Sequence, residues 1–419
     1  MNTREYSPRS RLFVAISSLV LLTLLLAACG GPSTSGGSVT PTPVKTATLQ
    51  TSCPPKGTAR AAVMTPLALG NQNTVVYAES QPPLFHPTSV TLKRYSISTR
   101  TTTDIVTLPN TNIYEAQISA DGQWVLLHAY VSNRIGIQLV RMDGQMMQTL
   151  YCSGDLGGIQ WSPDNKYVAF VDAGTPGSDL STSTFNLLAV ATGAIQTKPH
   201  DSTHLLYIPL AWLDNTHLYV ETGALPGEGS TKLSLLDITT GTSKQIVSLP
   251  DHCFDTTHSI DGTQLFTSSA SQCGLGETAV QGGPSSIQVQ PAIGGLAKTI
   301  YSTPTEAITA LRVASSTTLL LITHNRNTDT SHNGLWKMNT DGTGLTRLIS
   351  DVTNEIRFNS FNQYPWSNVS RDGTFYSITV INPNGPNRLL FGAMNGGAPV
   401  TFASGNGEKD FYVVGWTTM

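Results

Sequence analysis

Short apolar runs, each broken by a polar turn, recur along most of this chain. In Trp161-Ser162-Pro163-Asp164-Asn165-Lys166-Tyr167-Val168-Ala169-Phe170-Val171 one apolar run enters a Pro-Asp-Asn turn and another leaves it, the pattern of a tight hairpin. The pattern returns as Ser119-Ala120-Asp121-Gly122 before Trp124-Val125-Leu126-Leu127, and as Leu213-Asp214-Asn215 before Leu218-Tyr219-Val220. It returns again as Ile260-Asp261-Gly262 before Leu265-Phe266, and as Arg371-Asp372-Gly373 before Phe375-Tyr376-Ser377-Ile378. A weaker copy, Ala314-Ser315-Ser316-Thr317, precedes Leu319-Leu320-Leu321-Ile322. Taken at positions 121, 164, 214, 261, 316 and 372, the turns lie 43, 50, 47, 55 and 56 residues apart.

A second turn sits inside each unit: Met142-Asp143-Gly144, Ala191-Thr192-Gly193, Thr240-Gly241, Gly294-Gly295, Asp341-Gly342 and Asn395-Gly396-Gly397. Two hairpins per unit predict four antiparallel strands, named a to d outward, and a period of roughly 40–50 residues is that of a propeller blade. The expected fold is all-β, a single β-propeller. Residues 61–64 and 74–78 open the regular structure. With 92–97 and 104–108, the run 74–78 reads as strands b, c and d of an incomplete blade, while 411–416 reads as a lone strand a. Pairing the two ends closes the ring, removes the open edges that invite aggregation, and makes seven blades. The alternative lets 61–67 supply strand a and sets 411–416 outside as an extra strand, with six or eight blades as further options.

An apolar strand, Ser-Pro-Asp-Gly or a variant, then a second apolar strand resembles the TolB-like (WD-like) propeller repeat of bacterial envelope proteins, also seen in prolyl-oligopeptidase-type peptidases. Residues 161–171 carry it with Asn165 in place of Gly; 119–127 and 370–378 carry it with Ala120 or Arg371 in place of Pro. The resemblance covers roughly 110–419 and implies a fold, not an activity. True TolB proteins place an α/β domain ahead of the propeller, so a Tol–Pal role is not expected to transfer. Sialidase Asp-boxes need one residue between Asp and Gly, and here the two are adjacent.

The 12% of charged residues and the abundance of Thr, Ser and Gly suit short strands with polar turns. The net charge is −3, and no Lys/Arg cluster offers a nucleic-acid partner a footing. Residues 1–28 change the picture most. Arg4, Arg9 and Arg11 precede the 17-residue run Leu12 to Ala28, an export signal too short to be a typical spanning helix. It ends Leu26-Ala27-Ala28-Cys29-Gly30, which resembles the bacterial lipobox and implies cleavage before Cys29 and acylation of its sulfur, anchoring the mature chain to the membrane. The expected organisation is a lipoprotein signal peptide at 1–28, a disordered Gly/Ser/Thr/Pro tether at 29–58 and the propeller at 59–419, outside the cytoplasm.

Four cysteines remain, an even number suited to an exported protein. Cys253 and Cys273 flank the hairpin that folds about Asp261-Gly262 and are expected to pair; Cys53 with Cys152 would then pin the tether to the propeller. No Cys-x-x-Cys is present, and no cofactor or metal site is expected. The chain has no Gly-x-Ser-x-Gly, His-Glu-x-x-His or Gly-x-x-x-x-Gly-Lys.

Other candidates have plainer readings. Asp237-Ile238-Thr239-Thr240-Gly241 reads as a c–d turn, and His200-Asp201-Ser202-Thr203-His204 as a loop. His128 and His324 read as half-buried strand residues. Asn325 to Asp329 is a calcium-like pattern lacking the Gly and Glu that calcium loops use. Trp161, Trp212 and Trp416 read as packing between blades, with a sugar-stacking platform as the sharper alternative. The insertions 174–184 and 271–286 are long loops of the kind that carry binding. The expectation is a non-catalytic module meeting an envelope protein or cell-wall component. The alternative is a polysaccharide lyase or hydrolase with its site in the central funnel.

Overall fold

In the computed structural model of the chain, the described residues are 51–83, 87–131, 133–174, 183–199, 207–222, 231–249, 254–270, 282–325, 329–351, 356–358, 364–381, 387–405 and 410–419. Four of the six recurrent turns are held by the same hydrogen-bond network. In the first, Ser119 Oγ donates to Asp121 Oδ1, Trp124 N–H to Ser119 Oγ, and Gln123 N–H to Asp121 Oδ1. Ser162 and Asp164 do the same for Tyr167 and Lys166; Ser259 and Asp261 for Gln264 and Thr263; Ser370 and Asp372 for Phe375 and Thr374. The residue after Asp must take a left-handed backbone. Gly does so freely, and Asn165, at φ 60°, is the residue type that best tolerates the substitution.

Among the described residues there are seven four-stranded antiparallel sheets, and the recurrent turns join strands a and b in six of them. Blade 1 is strand a Asp410–Thr418 followed outward by Asn73–Ser80, Ser89–Ser96 and Thr101–Pro109. Blades 2 to 7 follow in chain order, with strands a at Ile113–Ile118, Leu156–Trp161, Ile208–Trp212, Phe254–His258, Ala307–Ser315 and Ile356–Arg357. The last strand therefore closes the ring, with Val75 opposite Trp416 and Ala78 opposite Tyr412. Residues 61–67 form no strand, so the alternative closure does not occur.

Strand b of blade 2, Trp124–Val131, is apolar on both faces because each face meets a different blade. Trp124 and Leu126 pack with Leu156, Ile159 and Trp161 of blade 3, while Val125 and Leu127 pack with Val90 and Leu92 of blade 1. Seven such clusters each span two neighbouring blades, blade 7 to blade 1 included. Polar side chains on strand a satisfy the next inner strand's backbone, which has no ladder partner on that edge. Gln117 spans Ile159 O and Trp161 N–H of blade 3; Asp255 accepts from Leu311 N–H at 2.8 Å and Thr257 from Val313 N–H at 3.3 Å in blade 6.

Residues 51–72 run along blades 3, 2 and 1 without forming a strand. Arg60 N–H reaches Leu150 O, Ala62 N–H reaches Val190 O, and Gln148 bonds both the N–H and the C=O of Val63. Cys53 is disulfide-bonded to Cys152, as expected, with Cα atoms 5.6 Å apart and a sequence separation of 99. Among the described residues no helix is long and apolar enough to cross a membrane.

Candidate functional site

An antiparallel meander sorts its connections: a–b and c–d turns gather on one face of the ring, b–c and d–a connections on the other. The inner strands surround a central channel whose a–b end is filled from blade 7. Among the described residues, strand a of that blade pairs at Ile356 and Arg357, opposite Val380 and Thr379, and an isolated bridge follows at Val369–Tyr376. Among the described residues between them is a 3-10 turn, Pro365–Ser367.

Tyr364 is 3% exposed; its hydroxyl donates to Trp161 O across the ring, and burial drives its pKa well above the usual phenol value. Its ring stacks on Trp366 with centroids 4.7 Å apart, and Trp366 Nε1 donates to Ile118 O of blade 2 at 3.1 Å. Arg371, standing where the turn motif has Pro, lays its guanidinium 4.5 Å from the Trp366 ring centroid. It donates to Ser119 O, Ala120 O and Trp416 O. Gly415 makes room, since a Cβ there would stand 2.9 Å from Trp366 O. The plug thus ties blade 7 to blades 1, 2 and 3.

Charge collects on the inner strands of blades 5 to 7. Arg312, 5% exposed, pairs with Asp255 at 2.7 Å, and its guanidinium lies 5.5 Å from the Phe358 ring centroid. His324 Nε2 is 3.2 Å from both Asp351 Oδ2 and Arg357 Nη1, and its Nδ1 is 3.3 Å from Thr309 Oγ1. Asp351 also accepts from Ile356 N–H at 2.8 Å. This arrangement fixes the imidazole in orientation and places a hydroxyl and a carboxylate on its two nitrogens.

His128 and His324 stand on strands b of blades 2 and 6 and share no site. His128 is 5% exposed, and burial lowers its pKa to about 4. Trp161, Trp212 and Trp416 are all at most 2% exposed inside inter-blade clusters, so packing is their role and a sugar-stacking platform is ruled out. Asp237 closes a c–d turn by accepting from Thr239 and Thr240. Asn325 and Asn333 bond reciprocally through side-chain amide and backbone, and Asp329 accepts from Ser331 N–H. Among the described residues no three His, Cys, Asp or Glu side chains are grouped to hold a metal ion.

Cys29, Cys253, Cys273 and His200 to His204 lie outside the described residues, as do most of 174–184 and 271–286. Sequence reasoning missed the plug. The signals that could have found it were the 56-residue interval before Asp372 and the isolated Tyr364-Pro365-Trp366 inside it.

No family model matches the chain, and no curated protein does. Solved structures do match. Prolyl oligopeptidase B from Galerina marginata aligns over 81% of this chain at 11% identity and TM-score 0.54; the match spans 52% of that protein, about half its length. The β-propeller domain of the trilobed protease from Pyrococcus furiosus aligns over 83% of this chain and 96% of its own, at 9% identity and TM-score 0.52. That domain is described as an open velcro topology, whereas here hydrogen bonds between strands at the two chain ends close the ring. TolB from Acinetobacter baumannii aligns over 81% of this chain and 82% of its own, at 14% identity and TM-score 0.44. At such identities the likeness is one of fold alone: the chain is a seven-bladed β-propeller, closed by its own last strand.

Proposed function

We propose that the chain is an exported lipoprotein, acylated at Cys29, whose propeller is a non-catalytic binding module for an envelope protein or cell-wall component. The anchor reading rests on the basic start, the apolar run and Leu26-Ala27-Ala28-Cys29. The Cys53–Cys152 disulfide agrees with an oxidising compartment. The observation that carries the binding reading is the state of the channel. One end is filled by Tyr364, Trp366 and Arg371, and on the inner strands of blades 5 and 6 Asp255 and Arg312 are already engaged with one another.

Intact-mass analysis of the membrane-extracted protein tests the anchor: a mature chain starting at acylated Cys29 is expected, and an unmodified Cys29 overturns it. Cross-linking in cells followed by affinity purification tests the module. Recovery of one reproducible envelope partner or wall fragment supports it, and recovery equal to that of an unrelated anchored protein refutes it.

One observation favours a funnel enzyme of hydrolase or lyase type: Thr309, His324 and Asp351 form a hydroxyl–imidazole–carboxylate chain. Turnover of any glycan or ester substrate that disappears in His324→Ala would establish that reading instead.

A further inference from the structure

Strand a of blade 2 contains a β-bulge at its b–c end. Ile113 pairs with Ala129 and Glu115 with His128, so Tyr114 is the extra residue. A bulge interrupts the alternation of faces and re-aims side chains. Here the Tyr114 ring comes to 5.2 Å from the His128 ring, while Glu115, its register partner, accepts from the Ile159 N–H of blade 3. Tyr130, two residues beyond His128 on an extended strand, shares its face. Asp155, just ahead of strand a of blade 3, acts on Tyr114 together with Tyr130.

The buried members of this cluster have unspent hydrogen-bonding capacity. Both ring nitrogens of His128 and Oε2 of Glu115 are buried without a partner, a costly arrangement unless something fills it. Burial raises the Glu115 carboxyl to about 7, partly offset by the Ile159 N–H. The rim, by contrast, is open: Tyr114 is 41% exposed and Tyr130 38%.

Two carboxyl groups and three aromatic rings therefore converge, and among the described residues no cation acts on Tyr114 or Glu115. Ring faces attract an ammonium, a carboxylate pairs with it, and a neutral imidazole can accept its N–H. A bare metal ion fits poorly, since no three ligating side chains are grouped here.

We infer that this side-chain cluster between blades 2 and 3 binds an organic ammonium group. Glu115 is the counter-charge, Tyr114 and Tyr130 are the flanking faces, Asp155 is the outer charge and His128 the buried acceptor. The inference goes beyond the binding-module reading and does not depend on the anchor.

Calorimetric titration of the full chain in detergent tests it with butylammonium, choline and 3,3-dimethylbutanol, the uncharged isostere of choline. At least one ammonium probe is expected to bind ten-fold or more tighter than the isostere, and tighter at pH 8 than at pH 6 as Glu115 ionises. His128, Tyr114, Tyr130 and Asp155 are the other titratable groups facing it. Glu115→Gln is expected to lose ten-fold or more and to flatten the pH profile. Asp155→Asn, at the rim and away from the core, is expected to lose several-fold with an unchanged melting temperature. Equal binding of choline and its isostere, no binding of either ammonium probe, or undiminished binding in folded Glu115→Gln overturns the inference. These outcomes are read on the purified chain and leave the membrane and cross-linking tests untouched.

Discussion

Asp372 accepts from Ser370 Oγ, Thr374 N–H and Oγ1, and Asn73 Nδ2. Burial acts to raise its pKa, but these bonds hold the carboxyl down at about 2. An acid depressed from its unfolded value near 4 contributes stability that is present above that value and lost as pH falls through about 2. Asp372→Asn is expected to cost about 1 kcal/mol at pH 7, a low figure because the side chain is exposed, and to converge with the parent near pH 2 in urea titrations. Glu115 runs the other way. Its folded value near 7 lies above the unfolded one, so its neutral form stabilises fully below about pH 4, and that contribution drains away up to about pH 7. Without an amine present, Glu115→Gln should match the parent near pH 4 and exceed it at pH 8 by roughly 2 kcal/mol in the same titrations.

Among the described residues, the plug has no counterpart in the other six blades. Two stacked aromatics and an arginine bonded to three carbonyls join blade 7 to blades across the ring. Trp366→Ala removes the stack, the bond to Ile118 O and the face under Arg371. It is expected to destabilise by about 3–5 kcal/mol and to lower the melting temperature, measured by circular dichroism. Trp366→Phe, which keeps a ring but loses the N–H, should cost about 1–2 kcal/mol. A similar loss in both variants would mean that the stack contributes little.

Ring closure belongs to the whole molecule. Residues 410–418 carry Phe411, Val413, Val414 and Trp416 into the seams between blade 1 and its neighbours, and cover the edge of Asn73–Ser80. Deleting residues 410–419 bares that edge and those seams together, so the shortened chain is expected to aggregate where the parent stays monodisperse in size-exclusion chromatography. The Cys53–Cys152 bond, at a sequence separation of 99, closes a loop that includes all of blade 1 except its closing strand and most of blade 2. The double substitution Cys53→Ser with Cys152→Ser should cost about 2–5 kcal/mol in denaturant unfolding, with blade packing retained.

The sequence by itself determined the blades. A hairpin needs only neighbouring residues, so Ser-x-Asp-Gly turns and the apolar runs beside them declared their pairing locally, down to Asn165 standing in for Gly. It pointed to the two chain ends sharing a blade but left 61–67 open as strand a, and the pairing of Asn73–Ser80 with Asp410–Thr418 decided between them. Only the tertiary structure decided what fills the channel and what gathers between blades. Tyr364 meets Trp161 at a distance of 203 residues along the chain, and the bulge at Tyr114 shows only against its partner strand. Such contacts depend on how seven wedges close around an axis, and no spacing within a single wedge records that closure.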